Sequence, residues 1–238
     1  MINNVKLINK EYIANETLKF VFARPDGFDF RAGQFGDLTL INPPETDEEG
    51  NTRGFSIASA PYEDNLMFAT RLLDSAFKRV LKDLPIGSEV KLDAPYGDYT
   101  LHKTASTPAV FIIGGIGVTP VRSMIAQATH QKTSHKITLI HANKTPDDAP
   151  FTSDFIQFAK DNPNFRFIPV FSNSDDSQIT GAEYGNVNSD MLKKYVDNIH
   201  KAIYYLSGPE GMVKAMRQML VELEVNEDNI KTEEFTGY

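Results

Sequence analysis

Apolar runs in the second part of the chain constrain its fold most strongly. Such a run is what a strand buried on both faces of a sheet requires. Four runs alternate with segments of helical periodicity. The runs lie at residues 109–113, 137–141, 165–171 and 202–206, and the helical segments at 120–129, 152–160, 189–196 and 209–223. This alternation predicts an α/β doubly wound parallel sheet.

The earlier part of the chain has another pattern, in which short strand-like segments are separated by turn residues. These segments lie at residues 5–12, 17–23, 35–41, 55–58, 66–72 and 89–93. Six strands without long helices between them predict an antiparallel Greek-key β-barrel. One helix interrupts them, with Ser75 as its N-cap and Phe77, Val80 and Leu81 on one face. A polar stretch near residues 102–108 marks the boundary, so we predict domains at 1–104 and 105–238.

Composition excludes several classes of function. The net charge of -8 argues against nucleic acid as a partner. The absence of cysteine excludes disulfides and a thiolate-bound iron–sulfur cluster on these 238 residues. The five histidines show no metal-ligand spacing, so we expect no metal site. The sequence shows neither a signal peptide nor a membrane span, and we expect a cytoplasmic protein.

A glycine cluster, Gly114-Gly115-Ile116-Gly117, follows the first apolar run and precedes a helix. Glycines at that point allow a backbone to approach a pyrophosphate closely. Thr119 is suited to cap the helix and Pro120 to occupy its first turn, which would leave N–H groups facing an anion. A glycine-rich turn with no ligand is the alternative. The common dinucleotide fingerprint is incomplete, because Pro120 replaces its third glycine and Asn143 stands where a ribose-binding acid is expected.

The tetrapeptide Arg53-Gly54-Phe55-Ser56 suits a bound flavin, although it could also arise by chance on a strand. Together with six other segments in order, it resembles the ferredoxin-NADP reductase superfamily. Within that superfamily, the chain is similar to bacterial reductase components that supply electrons to oxygenases, here without a fused ferredoxin domain. The other segments are Ser75-Ala76, Pro95-Tyr96-Gly97, the glycine cluster through Thr119-Pro120, residues 143–148, Ser207-Gly208-Pro209 and Glu233-Glu234-Phe235.

The resemblance implies an FAD site in the barrel domain. Arg53 would pair with the FAD pyrophosphate, Phe55 would pack against the isoalloxazine, and Ser56 would place its hydroxyl near flavin N5. The remaining residues expected to bind flavin are Gly54 beside them, Ala69 and Arg71 on a neighbouring strand, and Ser75 and Ala76 at the helix start. A core aromatic at Phe55 and an ordinary N-cap at Ser75 are the structural alternatives.

The resemblance also implies an NAD(P) site in the second domain. The residues expected to bind the nucleotide are Gly115, Gly117, Thr119, Pro120, Asn143, Gly208 and Pro209. Ser207 stands where the family usually has a cysteine close to the nicotinamide. Glu233 would bring a carboxylate to the flavin, with Ser56 and Ser207 as the other catalytic candidates. Either Phe235 or Tyr238 would cover the flavin ring, and the spacing from Glu233 favours Phe235.

The function that the resemblance implies is hydride transfer from NAD(P)H to FAD N5, followed by electron transfer to a one-electron acceptor protein such as a ferredoxin or oxygenase component. Residues 171–176 contain two aspartates and no basic residue, which favours NADH over NADPH. Lys144 argues weakly for NADPH. The alternatives are a non-catalytic FAD- or nucleotide-binding subunit and a free flavin or quinone reductase.

Overall fold

The computed structural model describes residues 2–173 and 181–235, apart from the side chain of Phe235. The chain divides into two compact units. The first comprises Met1–Thr100 with Thr119–Gln127, and the second comprises Leu101–Val118 with Ala128–Tyr238.

The first unit contains six strands in one antiparallel sheet, in the order β4-β3-β6-β1-β2-β5. They are β1 (Ile2–Ala14), β2 (Thr17–Ala23), β3 (Phe35–Leu40), β4 (Thr52–Ser56), β5 (Asn65–Arg71) and β6 (Glu89–Tyr96), with helix α1 (Ala76–Asp83) between β5 and β6. Alternation along β2 buries Phe20 and Phe22 in the core, as a strand with one buried face requires. Ser75 caps α1 by accepting a hydrogen bond from the Lys78 N–H at 3.3 Å.

The second unit contains a six-stranded parallel sheet in the order β10-β9-β8-β7-β11-β12. Its strands are β7 (Ala109–Gly114), β8 (Ile137–Asn143), β9 (Phe165–Phe171), β10 (Glu183–Tyr184), β11 (Ile203–Pro209) and β12 (Ile230–Phe235). The helices that follow α1 in the chain are α2 (Thr119–His130), α3 (Thr152–Asp161), α4 (Ser189–Tyr195) and α5 (Glu210–Glu222). Short 3-10 helices occur at Gly115–Val118, Pro146–Asp148, Ile199–Lys201 and Glu227–Asn229. Residues Thr119–Gln127 of α2 belong to the first unit.

The predicted fold class is confirmed in both units, and the differences are local. A 3-10 turn occupies Gly115–Val118, so Thr119 is the first residue of α2 and not its N-cap. Pro209 pairs with Phe235 at the end of β11, and α5 therefore begins one residue later than predicted. Strands β10 and β12 were not predicted, because two residues are too few to show a period and Ile230–Phe235 contains three charged residues.

Across residues 2–173 and 181–235, no helix is both long and apolar enough to span a membrane.

Candidate functional site

Strand β4 of the first unit carries Arg53 and Phe55, two residues apart and therefore on one face of the sheet. Both contact Phe77 of α1, which is buried. The Phe55 and Phe77 rings are stacked with centroids 5.8 Å apart, and the Arg53 guanidinium carbon lies 5.3 Å from the Phe77 centroid. This packing fixes the start of the Arg53 side chain beside the first turn of α1.

The Arg53 guanidinium binds the acidic loop of residues 45–50, which lies between β3 and β4. Its Nη2 lies 3.2 Å from Oδ1 of Asp47 and 2.8 Å from Oε2 of Glu49. Its Nη1 donates to the Glu49, Gly50 and Thr52 carbonyls at 2.9, 3.2 and 2.8 Å. The Arg53 guanidinium therefore lies in an anion-binding arrangement, in which it binds the carboxylates of Asp47 and Glu49.

Asp47 also binds the N-terminus of α1. Its Oδ2 accepts a hydrogen bond from the Ala76 N–H at 3.0 Å, while Oδ1 contacts Arg53. Partial burial raises the pKa of this carboxyl, but the hydrogen bonds from Ala76 and Arg53 outweigh it, and the pKa lies below its usual value. One carboxylate thus bridges a guanidinium and a helix start, two groups that favour negative charge.

A further cation, the ammonium group of Lys78, lies near this position. Lys78 is half-buried, and its pKa is lowered first by burial and then by the positive charges of Arg53 and Arg71. Its ammonium has no ion-pair or hydrogen-bond partner within residues 2–173 and 181–235. Lys78 was not among the residues that the sequence predicted to bind flavin. Its position in the first turn after Ser75 was the available signal.

The other flavin-site candidates lie on the same barrel strands. Ser56 is 5% exposed, and its hydroxyl makes no hydrogen bond to any described residue. Ala69 is buried on β5. A Cβ on Gly54 would lie 3.3 Å from Oδ1 of Asp37. The first unit therefore brings Arg53 and Ala76 together around one anion-binding position, with Ser56 on the same strand as Arg53. Arg71 lies 3.9 Å from the Glu16 carboxylate and acts on the pKa of Lys78.

In the second unit, three glycines allow β7, the 3-10 turn and β11 to approach closely. A Cβ on Gly117 would lie 2.6 Å from the Gly208 nitrogen, and one on Gly208 would lie 2.9 Å from the Gly114 nitrogen. Gly208 also has a φ of +139°, which other residues rarely adopt. This close approach of backbones requires glycine at Gly117 and Gly208.

Two buried side chains bind the carbonyls of the 3-10 turn, here called the glycine turn (Gly115–Val118). The Ser207 hydroxyl donates to the Gly117 carbonyl at 2.8 Å, and His141 Nε2 lies 2.9 Å from the Gly115 carbonyl. A carbonyl can only accept, so Nε2 carries the proton. Burial lowers the pKa of His141 to about 4, against the opposing effect of its bond to Gly115. His141 was not predicted from the sequence, because a histidine ending an apolar run has no distinguishing pattern.

Asn143 ends strand β8, the neighbour of β7. Its side-chain nitrogen and oxygen are buried and have no hydrogen-bond partner among the described residues. Buried amides normally have partners, so this one is suited to bind a ligand at the carboxyl edge of the sheet.

Strand β12 brings another candidate next to Ser207. Glu233 is the register partner of Ser207, and Phe235 is that of Pro209. Tyr238 lies outside the described residues, as do residues 174–176 of the segment 171–176 whose charges favour NADH. Within the rest of that segment, the N–H groups of Ser172 and Asn173 donate to the Asn143 and Lys144 carbonyls at 3.0 and 2.9 Å.

Comparison with known proteins agrees with this geometry. The oxidoreductase NAD-binding domain family matches residues 111–218, which contain the glycine turn, Asn143 and Ser207. The reductase component of propane 2-monooxygenase from Mycolicibacterium smegmatis is 31% identical over 219 residues, covering 90% of this chain and 61% of that protein. The phenol hydroxylase P5 protein from Acinetobacter pittii is 31% identical over 214 residues, covering 87% of this chain and 58% of that protein.

Solved structures share the fold over nearly the whole chain. The cytochrome P450 reductase from Amycolatopsis has a TM-score of 0.84 at 23% identity, covering 99% of this chain and 71% of its own. A ferredoxin NADP+ reductase from Neisseria gonorrhoeae, solved with bound FAD and NADP, has a TM-score of 0.80 at 21% identity and covers 98% of each chain.

These findings confirm the predicted resemblance: the chain has the two-domain fold of ferredoxin-NADP reductase-like proteins, and residues 111–218 match the oxidoreductase NAD-binding domain family. Within that class, it is similar to reductase components of bacterial oxygenases. The chain spans 61% to 63% of the length of the propane 2-monooxygenase reductase components that it matches.

Proposed function

We propose that this chain is an NAD(P)H-dependent flavoprotein reductase that transfers hydride to FAD and passes the electrons to a separate acceptor. The observation that carries the proposal is the anion-binding arrangement at Arg53 and the Ala76 N–H. Both groups already hold one carboxylate, with Arg53 Nη2 at 3.2 Å and the Ala76 nitrogen at 3.0 Å from its two oxygens. A diphosphate oxygen has the same acceptor chemistry, so the donor set fits the FAD diphosphate.

We propose that the remaining flavin contacts come from the barrel strands. The Phe55 ring would pack against the isoalloxazine, with Gly54 and Ala69 leaving room beside it. The Ser56 hydroxyl would donate a hydrogen bond near N5, a role compatible with its lack of partners among the described residues. Arg71 and Ser75 would complete the phosphate end of the site.

For the nicotinamide nucleotide, we propose the glycine turn and the residues around it. Gly115, Gly117, Thr119 and Pro120 would approach the pyrophosphate, and the Asn143 amide would bind a polar group of the nucleotide. Gly208 and Pro209 would line the nicotinamide end. The buried Ser207 hydroxyl, bound to the Gly117 carbonyl at 2.8 Å, would hold the turn in place.

Bound FAD would accept hydride at N5 and release electrons one at a time to the acceptor. The chain's own task would then be orientation, because hydride transfer depends on close alignment of the reacting atoms. We propose that Glu233 contributes a carboxylate close to the flavin, and that Phe235 or Tyr238 covers its ring. Since these 238 residues contain no cysteine, a thiolate-bound cluster for onward transfer would lie outside them.

We propose NADH as the preferred donor. The 2'-phosphate of NADPH requires basic neighbours, and residues 171–176 contain none. Two of those residues are aspartates, which would repel an additional phosphate. Lys144, which directly follows strand β8, would be the cation in favour of NADPH.

Anaerobic titration of the purified chain with NADH and NADPH in parallel tests the proposal, with flavin absorbance as the readout. We expect FAD to be retained through gel filtration, and NADH to bleach it faster than NADPH. An added ferredoxin or oxygenase component should then reoxidise it. A yellow protein that stays oxidised would indicate a non-catalytic carrier, and flavin turnover without retention would indicate a free flavin reductase.

A further inference from the structure

The acidic loop of residues 45–50 occupies the groups that we assign to the flavin diphosphate. Both oxygens of Asp47 are engaged, Oδ1 with the Arg53 guanidinium at 3.2 Å and Oδ2 with the Ala76 N–H at 3.0 Å. Glu49 adds a second carboxylate at 2.8 Å from Arg53. Each of these contacts lies within the first unit of the chain.

A carboxylate and a phosphate compete for such donors, because each binds through oxygens that share negative charge. One guanidinium edge and one N–H group do not bind two anions at the same distance without strong repulsion between the anions. We propose that Asp47 is an internal competitor for the FAD diphosphate, which lowers the affinity of the site for FAD. This inference rests on the proposed function, since it assumes that FAD binds at Arg53 and Ala76.

Two features indicate that this competition is reversible. Glu45 pairs with Arg79 through two hydrogen bonds of 3.0 and 2.7 Å, so the base of the loop remains beside α1 when Asp47 leaves. Asp47 therefore keeps a high effective concentration near its site. Lys78 is half-buried between like charges and has no ion-pair partner in the described ranges, so an incoming diphosphate gains a cation that Asp47 does not use.

The competition acts only on ligands that carry phosphate. Riboflavin has the same isoalloxazine ring as FAD but no phosphate, so its binding does not require Arg53 or the Ala76 N–H. We therefore expect Asp47 to lower the affinity for FAD and to leave the affinity for riboflavin unchanged.

The test measures dissociation constants for FAD and riboflavin by flavin fluorescence, using the full chain freed of flavin. Asp47→Asn keeps the side-chain size and the acceptor for Ala76 but removes the charge. Glu48→Gln is the matched control, because it removes one charge from the same loop at an exposed residue without a contact to Arg53. We expect D47N to bind FAD about tenfold more tightly than wild type, a typical effect of one charge-assisted hydrogen bond.

E48Q should match wild type for FAD, and all three proteins should bind riboflavin alike. A second measurement uses wild type alone: amide hydrogen exchange within residues 45–50 should rise when FAD is added, because the loop is released. Equal or weaker FAD binding by D47N, or no rise in exchange while wild type binds FAD, would overturn the inference alone. Failure of every variant to bind FAD would overturn the proposed function and the inference with it.

Discussion

The two candidate sites are built in opposite ways. The site in the first unit consists of charged side chains, with Arg53 and Lys78 near the start of α1 and Asp47 as the internal counter-ion of Arg53. The glycine turn in the second unit consists of backbone, held by uncharged buried groups on Ser207 and His141. Electrostatic interactions act over distance, and salt or a substitution changes their strength gradually. A closely packed backbone, in contrast, tolerates almost no added atom. We therefore expect the first site to set affinity and the second to set geometry.

Gly117→Ala should give the largest effect, because it adds an atom to the site defined by packing. The new Cβ would lie 2.6 Å from the Gly208 nitrogen, a backbone atom that cannot rotate away. We expect about 3 kcal/mol of destabilisation in denaturant unfolding. The rate of flavin reduction by NADH should fall at least about 100-fold, as expected when reacting groups are misplaced by an ångström.

Gly211→Ala is the matched control, since a Cβ at Gly211 would meet nothing within 4 Å. It lies in α5, where alanine is the better helix former, so stability should stay equal or rise slightly. If G117A and G211A behave alike, the glycine turn is not limited by packing and the contrast between the two sites fails.

His141→Gln should reduce the dependence of stability on pH. Burial lowers the pKa of His141 to about 4 from 6.5, so the folded state favours the neutral ring. As pH falls below about 6.5, the imidazole takes up a proton in the unfolded chain but stays neutral in the folded chain. The free energy of unfolding therefore decreases until the pH reaches about 4. This loss is on the order of 3 kcal/mol for the pKa values involved.

Unfolding of H141Q should be measured by denaturant titration between pH 4 and 7, next to wild type and His130→Gln. The amide of glutamine can still donate toward the Gly115 carbonyl but does not titrate. H130Q is the control, because it removes an exposed histidine from the same chain. An unchanged slope in H141Q would show that His141 is not buried in its neutral form.

Arg53→Gln tests the site defined by charge. We expect FAD affinity to fall about 10- to 100-fold, the usual range for losing charge-assisted hydrogen bonds. The salt dependence of FAD binding should also weaken, because one cation at the diphosphate is gone. Arg31→Gln is the control, since Arg31 is exposed and its side chain has no partner among the described residues. Equal FAD affinity of R53Q and R31Q would show that Arg53 does not bind the FAD diphosphate.

Sequence patterns predicted the elements of both units but only part of each site. Alternation in β2 and the apolar run in β7 follow from burial, which acts on consecutive residues and is therefore visible in the sequence. The glycine motif predicted the backbone approach at Gly117 for the same local reason. The acidic loop was visible as a run of charges, but its contact with Ala76 was not, because residues 47 and 76 meet only through the tertiary fold.

The Lys78 and His141 assignments were missed for a related reason. Lys78 belongs to a run of basic residues in α1, and only the fold separates it from Arg79, which pairs with Glu45. His141 ends a buried strand and becomes informative only once the Gly115 carbonyl lies 2.9 Å from its ring. Side chains that act through another segment of the chain leave no periodic signal.

Ser207→Ala should give the smallest of these effects and separates a structural role from a functional one. Removing the hydroxyl leaves the buried Gly117 carbonyl without its donor at 2.8 Å, which should cost about 1–2 kcal/mol of stability. Ser123→Ala is the matched control, because Ser123 is equally buried and donates to the Ser59 carbonyl at 2.6 Å within the first unit. Both variants should unfold at lower denaturant concentration. Only S207A should raise the KM for NADH, since only Ser207 holds the glycine turn. An equal rise in KM for S123A would show that Ser207 acts on stability alone and has no specific role in NADH binding.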